Sequence, residues 1–177
     1  TVISNCILTR GIKVDELSTF DIEYLFLNIR GKSVGETVDV LITCPDDNVT
    51  QVPVSINLDD IKVEVNKDHS KDIKLDDTIS IRMKYPAMME FVKNNFGTDE
   101  VTVDDSFDLI SSCIEQVYSE EESWTSSDFT KKELLEFIEQ LNSKQFKKIE
   151  KFFETMPKLS HTIKVKNPET GIESEVV

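Results

Sequence analysis

The pattern that most restricts this chain is an alternation of apolar and polar residues that occurs in two distant places. ETVDVLIT, QVPVSINL, IKVEVNK and TISIRMKY all alternate within residues 36–85, with clusters of Asp, Asn, Pro and Lys between them. Side chains on a strand point to opposite faces in turn, so each stretch reads as a half-buried strand. The turn residues between them favour antiparallel pairing. At the other end of the chain, HTIKVKNPETGIESEVV reads as one more hairpin around Asn-Pro-Glu-Thr-Gly. Moved back by 123 positions, it aligns with VDVLITCPDDNVTQVPV. Val40 then meets Ile163, Ile42 meets Val165, Pro45 meets Pro168, Asp46 meets Glu169, Asn48 meets Gly171, Val49 meets Ile172 and Val54 meets Val177. Two hairpins of one design are expected to pack side by side, although two ordinary hairpins would also match in part.

Elsewhere the period is helical. Residues 2–8 read as the end of a helix. In STFDIEYLFLNIRGKS, Phe20, Tyr24, Leu25, Leu27 and Ile29 form a dense apolar face, Ser18 or Thr19 can cap it and Gly31 can end it. A mostly buried helix is expected there. Pro86 suits the first turn of a short helix, AMMEFVKNN. DDSFDLISSCIEQVYS places Phe107, Leu109 or Ile110, Ile114 and Val117 on one helical face, and SEEESWTSSDF then reads as a loop. Thr130 and Glu133 have capping-box spacing ahead of Leu134, Ile138 and Leu141. Asn142-Ser143 offers a second cap before Phe146, Ile149, Phe152 and Phe153, and Pro157 ends that helix. The expected fold class is α+β: a small antiparallel sheet of hairpins, including the C-terminal one, with N-terminal helices and a helical lobe. The expected boundaries are 1–35 for the N-terminal helices, 36–85 plus 159–177 for the hairpin domain, and 86–158 for the lobe.

The formal net charge of −14 repels phosphate backbones, which disfavours general nucleic-acid binding. No basic residue falls between Lys93 and Lys131, whereas Asp99, Glu100, Asp104, Asp105, Asp108, Glu115, Glu120, Glu121, Glu122 and Asp128 do. A lysine-rich segment, 131–151, follows. This arrangement suggests internal complementarity or a charged docking surface; a solvated helix face beside an acidic loop is the plainer reading. No apolar run is long enough to cross a bilayer. Cys6, Cys44 and Cys113 are scattered and odd in number, which fits a reducing compartment and not a disulfide framework. The sequence starts without Met and stops inside an expected strand, which reads as a chain trimmed at both ends.

Motifs that carry chemistry are incomplete. Cys44-Pro-Asp-Asp47 looks like a zinc knuckle without its second cysteine, and the matching Asn167-Pro-Glu-Thr170 offers no soft ligand. A pair of knuckle-like turns that keep the shape without the metal is the better reading. Gly31-Lys32-Ser33 resembles the end of a phosphate-binding loop, but Phe26 stands where that motif needs glycine. The acidic pairs Asp46-Asp47, Asp59-Asp60, Asp76-Asp77 and Asp104-Asp105 lack the alternating ligands of a calcium loop and read as turn and cap residues. His69 and His161 stand beside no obvious nucleophile, and no Gly-rich cofactor loop is present. No catalytic residue, metal ligand or cofactor is therefore expected.

The aromatic residues point to a partner instead. Adjacent helical positions diverge by about 100°, so in Phe152-Phe153 and Met88-Met89 one side chain can face the core while the other faces outward. Trp124 stands in an acidic, Ser-rich segment. Phe146, Phe152 and Phe153, with Glu120, Glu121, Glu122 and Trp124, are the candidate partner-binding residues. The competing reading is a wide buried stripe within a helical subdomain.

Four phrases carry a family resemblance: FDIEYLFLNIRGKSVGETVDVLITCPDD, VPVSINLDDIKV, ELLEFIEQLNSKQFKKIEKFFETMPKLSHTIKV and KNPETGIESEVV. Together they resemble the baseplate hub assembly proteins of T4-like phages with contractile tails, over most of the chain. The most specific pieces are EYLFLNIRGKSVGE and FFETMPKLSHTI. The resemblance implies a non-enzymatic protein that binds other baseplate hub proteins, as an assembly chaperone or a structural subunit. It implies work in the host cell cytoplasm during assembly and leaves open whether the protein stays in the virion tail baseplate; charge and hydropathy speak against nucleic acid or membrane as partner, and homo-oligomerisation stays open. From residues alone, the rival from another class is an acidic DNA mimic that inhibits a host nucleic-acid-binding protein.

Overall fold

The structure, a computed structural model, describes residues 2–88 and 102–177. In chain order its helices are α1 (Val2–Cys6), α2 (Thr19–Val34), α3 (Val103–Cys113), α4 (Lys131–Glu139) and α5 (Ser143–Thr155). Its strands are β1 (Thr37–Thr43), β2 (Gln51–Asn57), β3 (Lys62–Glu64), β4 (Asp72–Lys74), β5 (Ser80–Met83), β6 (Ile114–Tyr118), β7 (Ser123–Thr125), β8 (Lys158–Ser160), β9 (Ile163–Lys166) and β10 (Glu173–Val176). The class is α+β, with every ladder antiparallel. The chain divides into two compact units: Thr1–Ile12, Phe20–Glu64 and Pro157–Val177 form the first, and Lys13–Thr19 with Val65–Met156 form the second.

In the first unit, β1 and β2 pair from Thr37↔Asn57 to Thr43↔Gln51, and β9 and β10 pair from Lys166↔Glu173 to Ile163↔Val176. β3 pairs with β8. The two hairpin turns share one design. Asn48 donates its N–H to the Cys44 carbonyl at 2.9 Å, and Gly171 donates to the Asn167 carbonyl at 2.9 Å. Both residues have positive φ, 56° and 75°, the left-handed region that Asn and Gly tolerate. The match by 123 positions therefore holds up to this residue pair. Beyond it the C-terminal turn is one residue shorter: Cys44 closes on Thr50, whereas Asn167 closes on Ile172. Val40 faces Val54 and Ile163 faces Val176, so the position of the C-terminal hairpin equivalent to Val54 is Val176 and not Val177.

The turns are also tied together. Asn167 is fully buried, and its Nδ2 donates to Asp46 Oδ1 and Oδ2 at 3.1 and 3.0 Å and to Asp47 Oδ2 at 2.9 Å. Its Oδ1 accepts the Glu169 N–H at 2.8 Å, and Thr170 Oγ1 donates to Asp46 Oδ2 at 2.6 Å. The Thr170 hydroxyl, ahead of Asn167, holds the Asp46 carboxyl below its usual range. The Thr50 hydroxyl and the Val49 and Thr50 N–H groups hold Asp47 lower still.

Helix α2 corrects two expectations. It runs through Gly31 to Val34, and Gly35, with φ 145°, follows its end. It is not mostly buried either: of its side chains only Phe20 is, while Phe26 is 52% exposed. Its apolar residues at 20, 22, 24, 25, 26, 27 and 29 run around the cylinder and define no single buried stripe.

In the second unit, β4, β5, β6 and β7 form one sheet in that order. Strands of the 36–85 segment thus separate: β1–β3 pair within the first unit and β4–β5 join β6–β7 in the second. The segment 114–118, expected to continue a helix, is strand β6, and the expected loop after it contains β7. A bulge opposite Arg82/Met83 accounts for the first error. It puts Ile114 and Val117, three residues apart, both into the core, a spacing that also fits a helix face. The expected helix after Pro86 lies, beyond Ala87 and Met88, outside the described residues, and Met89 with it.

Helix starts are well specified. Thr102–Asp105, Thr130–Glu133 and Asn142–Gln145 each form a capping box ahead of α3, α4 and α5. The helices cover one face of the sheet, and Ile73, Leu75, Ile81, Met83, Ile110, Cys113, Ile114, Val117, Leu134, Ile138, Ile149 and Phe152 form the core between them. Across the four strands, Ile73, Ile81, Val117 and Trp124 stand directly opposite one another and share a face. The other face is polar: Arg82 forks onto Asp72 at 2.8 and 3.0 Å, and Tyr118 donates to the same carboxylate at 3.2 Å.

Candidate functional site: an aromatic groove and an aromatic pocket on the second unit

Helix α5 distributes its aromatic residues between two environments. Phe152 is 2% exposed and packs against His69, Tyr85 and Phe153, with ring centroids 5.1, 5.7 and 5.2 Å away. It is a core residue, which removes it from the partner-facing set. Phe153, one position on, is half-buried and lines an open groove of about 710 Å³ between α3, α4 and α5. Phe146 lines the same groove and meets Phe107 of α3 at 5.9 Å, the rings tilted by 59°. Leu109, Ile110 and Leu141 add to its apolar lining, while Glu139, Lys147 and Glu150 give it charges of both signs.

The acidic candidates lie elsewhere on the unit. Glu120–Glu122 form the exposed turn between β6 and β7, where Ser119 Oγ accepts the N–H of Glu121 and of Glu122. Trp124 on β7 is 38% exposed and borders a second opening of about 310 Å³. Ile79, Val117, Phe129, Leu134 and Phe137 complete its apolar lining, with Glu133 at its rim. The structure therefore places the seven candidates in four settings: Phe146 and Phe153 on a groove, Trp124 on a pocket, Glu120–Glu122 on the exposed turn that precedes β7, and Phe152 in the core.

A polar cluster beside Phe152 has no counterpart in the sequence reading. His69 Nδ1 lies 3.0 Å from Thr155 Oγ1, and Nε2 lies 3.0 Å from the Tyr85 hydroxyl. The Thr155 hydroxyl hydrogen is directed at the Lys151 carbonyl at 2.6 Å. Thr155 Oγ1 therefore accepts from Nδ1–H, leaving Nε2 to accept from Tyr85. Burial, then the charge of Lys71, lowers the His69 pKa and favours this neutral ring. Lys71 Nζ stands 4.4 Å from the centre of the Tyr85 ring. Residues 69, 85, 152 and 155 are too scattered in sequence for spacing to connect them. His161 falls in the short link between β8 and β9. Among the described residues, no three His, Cys, Asp or Glu side chains gather in a metal-binding group.

No described helix is long and apolar enough to cross a membrane. Fold and surfaces together define an acidic α+β protein with two aromatic-lined openings on one of its units. Over residues 1–177 the chain matches the family model described as T4 bacteriophage base plate protein. The chain belongs to that family and is a phage baseplate protein. No curated protein and no solved structure matches it.

Proposed function

We propose that this baseplate protein acts in assembly of the baseplate hub, binding other hub proteins as a chaperone or structural subunit, without enzymatic chemistry. It meets those proteins in the host cell cytoplasm. The observation that carries the reading is the open groove where Phe146 and Phe153 stand beside Phe107. Concave apolar surfaces bordered by aromatic side chains and mixed charges are what protein partners use as anchor sites. His69 supports a non-enzymatic role: half-buried at the edge of the core, it is committed to Thr155 and Tyr85 and packs on Phe152.

The DNA-mimic alternative needs carboxylates set free along an extended face. Several acids of the block are used internally. Asp105 and Asp128 cap Thr102 and Thr125, and Asp108 accepts from Lys131 at 2.7 Å. That use favours the hub reading.

Co-expression with each hub protein, followed by size-exclusion chromatography, tests it. One hub protein is expected to co-elute, and Phe146→Ala/Phe153→Ala is expected to release it while circular dichroism stays native. Co-elution with none, or a complex indifferent to the double substitution, would count against the proposal.

A further inference from the structure

We propose that the pocket beside Trp124 is a second docking site, and that it takes a basic segment of a protein partner carrying one large apolar side chain. The inference rests on the reading of this chain as a protein that binds other baseplate proteins, and it adds the chemistry of what is bound.

The pocket arises from an unfinished row. Ile73, Ile81 and Val117 are 8%, 0% and 7% exposed, whereas Trp124, opposite Val117 on the edge strand, is 38% exposed. Three strands of the row are covered, and at the fourth the apolar lining opens outward between Trp124, Phe129 and Phe137. Its volume of about 310 Å³ is at the small end of the roughly 300–1,000 Å³ typical of concave ligand sites, so it suits an inserted side chain better than a docked helix.

Charge selects the occupant. The one charged side chain of the lining is Glu133. Glu120, Glu121 and Glu122 lead into β7, and Asp128 lies in the turn that leaves it. The two lysines that open α4 are engaged with other acids: Lys131 with Asp108 at 2.7 Å and Lys132 with Glu136 at 3.2 Å. Among the described residues, Glu120, Glu121 and Glu122 form no ion pair. An apolar pocket with an acidic lining residue, on a strand flanked by further unneutralised acids, attracts Lys- or Arg-rich sequence and repels acidic sequence, which sets both approach and selectivity.

Trp124 is the sole tryptophan of the chain, so its fluorescence reports on this pocket. Short overlapping peptides that lack tryptophan and cover the other baseplate proteins of the same phage would be titrated onto the full chain. Peptides that shift the emission to shorter wavelength are expected to be basic, to contain a large apolar residue and to bind more weakly as salt is raised. Replacing that residue with glycine, or combining Glu120→Gln, Glu121→Gln and Glu122→Gln, should abolish the shift. Responding peptides that are neutral or acidic, an unchanged response in the triple variant, or no response at all would overturn the proposal. A shift that tracks protein concentration without peptide, together with a doubled molecular size, would also overturn it by assigning the pocket to a second copy. If a hub protein co-elutes while Trp124 stays silent, the hub reading stands and this one falls.

Discussion

Phe152 and Phe153 meet at 85° with ring centroids 5.2 Å apart, one ring in the core and the other on an open groove. Adjacent helical positions enforce this division, because their side chains diverge by about 100°. The two residues should therefore fail differently. Phe152→Ala empties a site packed by His69 and Tyr85 and is expected to cost about 3–5 kcal/mol of stability. Phe153→Ala should cost nearer 1 kcal/mol, the centre of the range for point substitutions, yet weaken hub-protein capture. Urea unfolding and co-elution, measured side by side, separate the two effects. Equal losses of stability would contradict the division.

His69 gives stability a dependence on pH. Its folded pKa lies below the ordinary value of 6.5, through burial and the charge of Lys71, so the unfolded chain takes up this proton more readily than the fold. The stability it confers is full above about 6.5 and declines as pH falls from there through the lowered folded value. His69→Phe keeps an aromatic ring against Phe152 and removes the proton. The variant's melting temperature should show a smaller decline over that window than the parent's. Parallel curves would rule out a part for His69.

Thiol reactivity should follow burial. Cys6 is exposed, whereas Cys44 and Cys113 are buried. Burial, with the nearby Asp46 and Asp47 charges, raises the Cys44 pKa and so lowers its thiolate content. A thiol reagent under native conditions is expected to modify Cys6 rapidly and the other two at the rate of unfolding. Fast modification of Cys44 would mean that the turn around it opens locally.

What the sequence disclosed and what it hid follow from the range of the interactions involved. Capping at Thr130 and Asn142 and the left-handed turn shared by Asn48 and Gly171 rest on near neighbours, so spacing reveals them. Strand β6 does not reveal itself, because the bulge at Arg82/Met83 gives Ile114 and Val117 a helical spacing. The separation of β4–β5 from β1–β3 is a matter of pairing partners, which alternation cannot specify. For the candidate surfaces, the Phe-Phe pair announced that two environments exist, but Phe107, which shapes the groove with Phe146, joins it only through the packing of α3 on α5. The His69–Tyr85–Thr155 cluster draws on three distant segments and gave no local signal.

The tie between the two hairpin turns offers the sharpest chemical test. Asn167 is fully buried with its amide hydrogens on the carboxylates of Asp46 and Asp47, and the Glu169 N–H donated to its Oδ1 fixes which end of the amide faces them. Asn167→Asp preserves shape and replaces the donor with an oxygen. At neutral pH three carboxylates would then converge, and the new carboxyl, facing two like charges, should have its pKa raised. A carboxyl whose folded pKa is raised costs stability as pH rises above its unfolded value, and protonation returns a donor to the same place. The deficit of Asn167→Asp relative to the parent should thus shrink as the solution is acidified, while Asn167→Ala, with nothing to protonate, keeps a constant deficit. The ordinary pKa of Asp46 and Asp47 is 3.8 and both are held below it, so the parent's own tie persists throughout that acidification until the pH falls below about 3.8. Thermal melts of the three proteins across this range decide the matter: a deficit for Asn167→Asp that does not change with pH would show that the amide hydrogens are not what joins the turns.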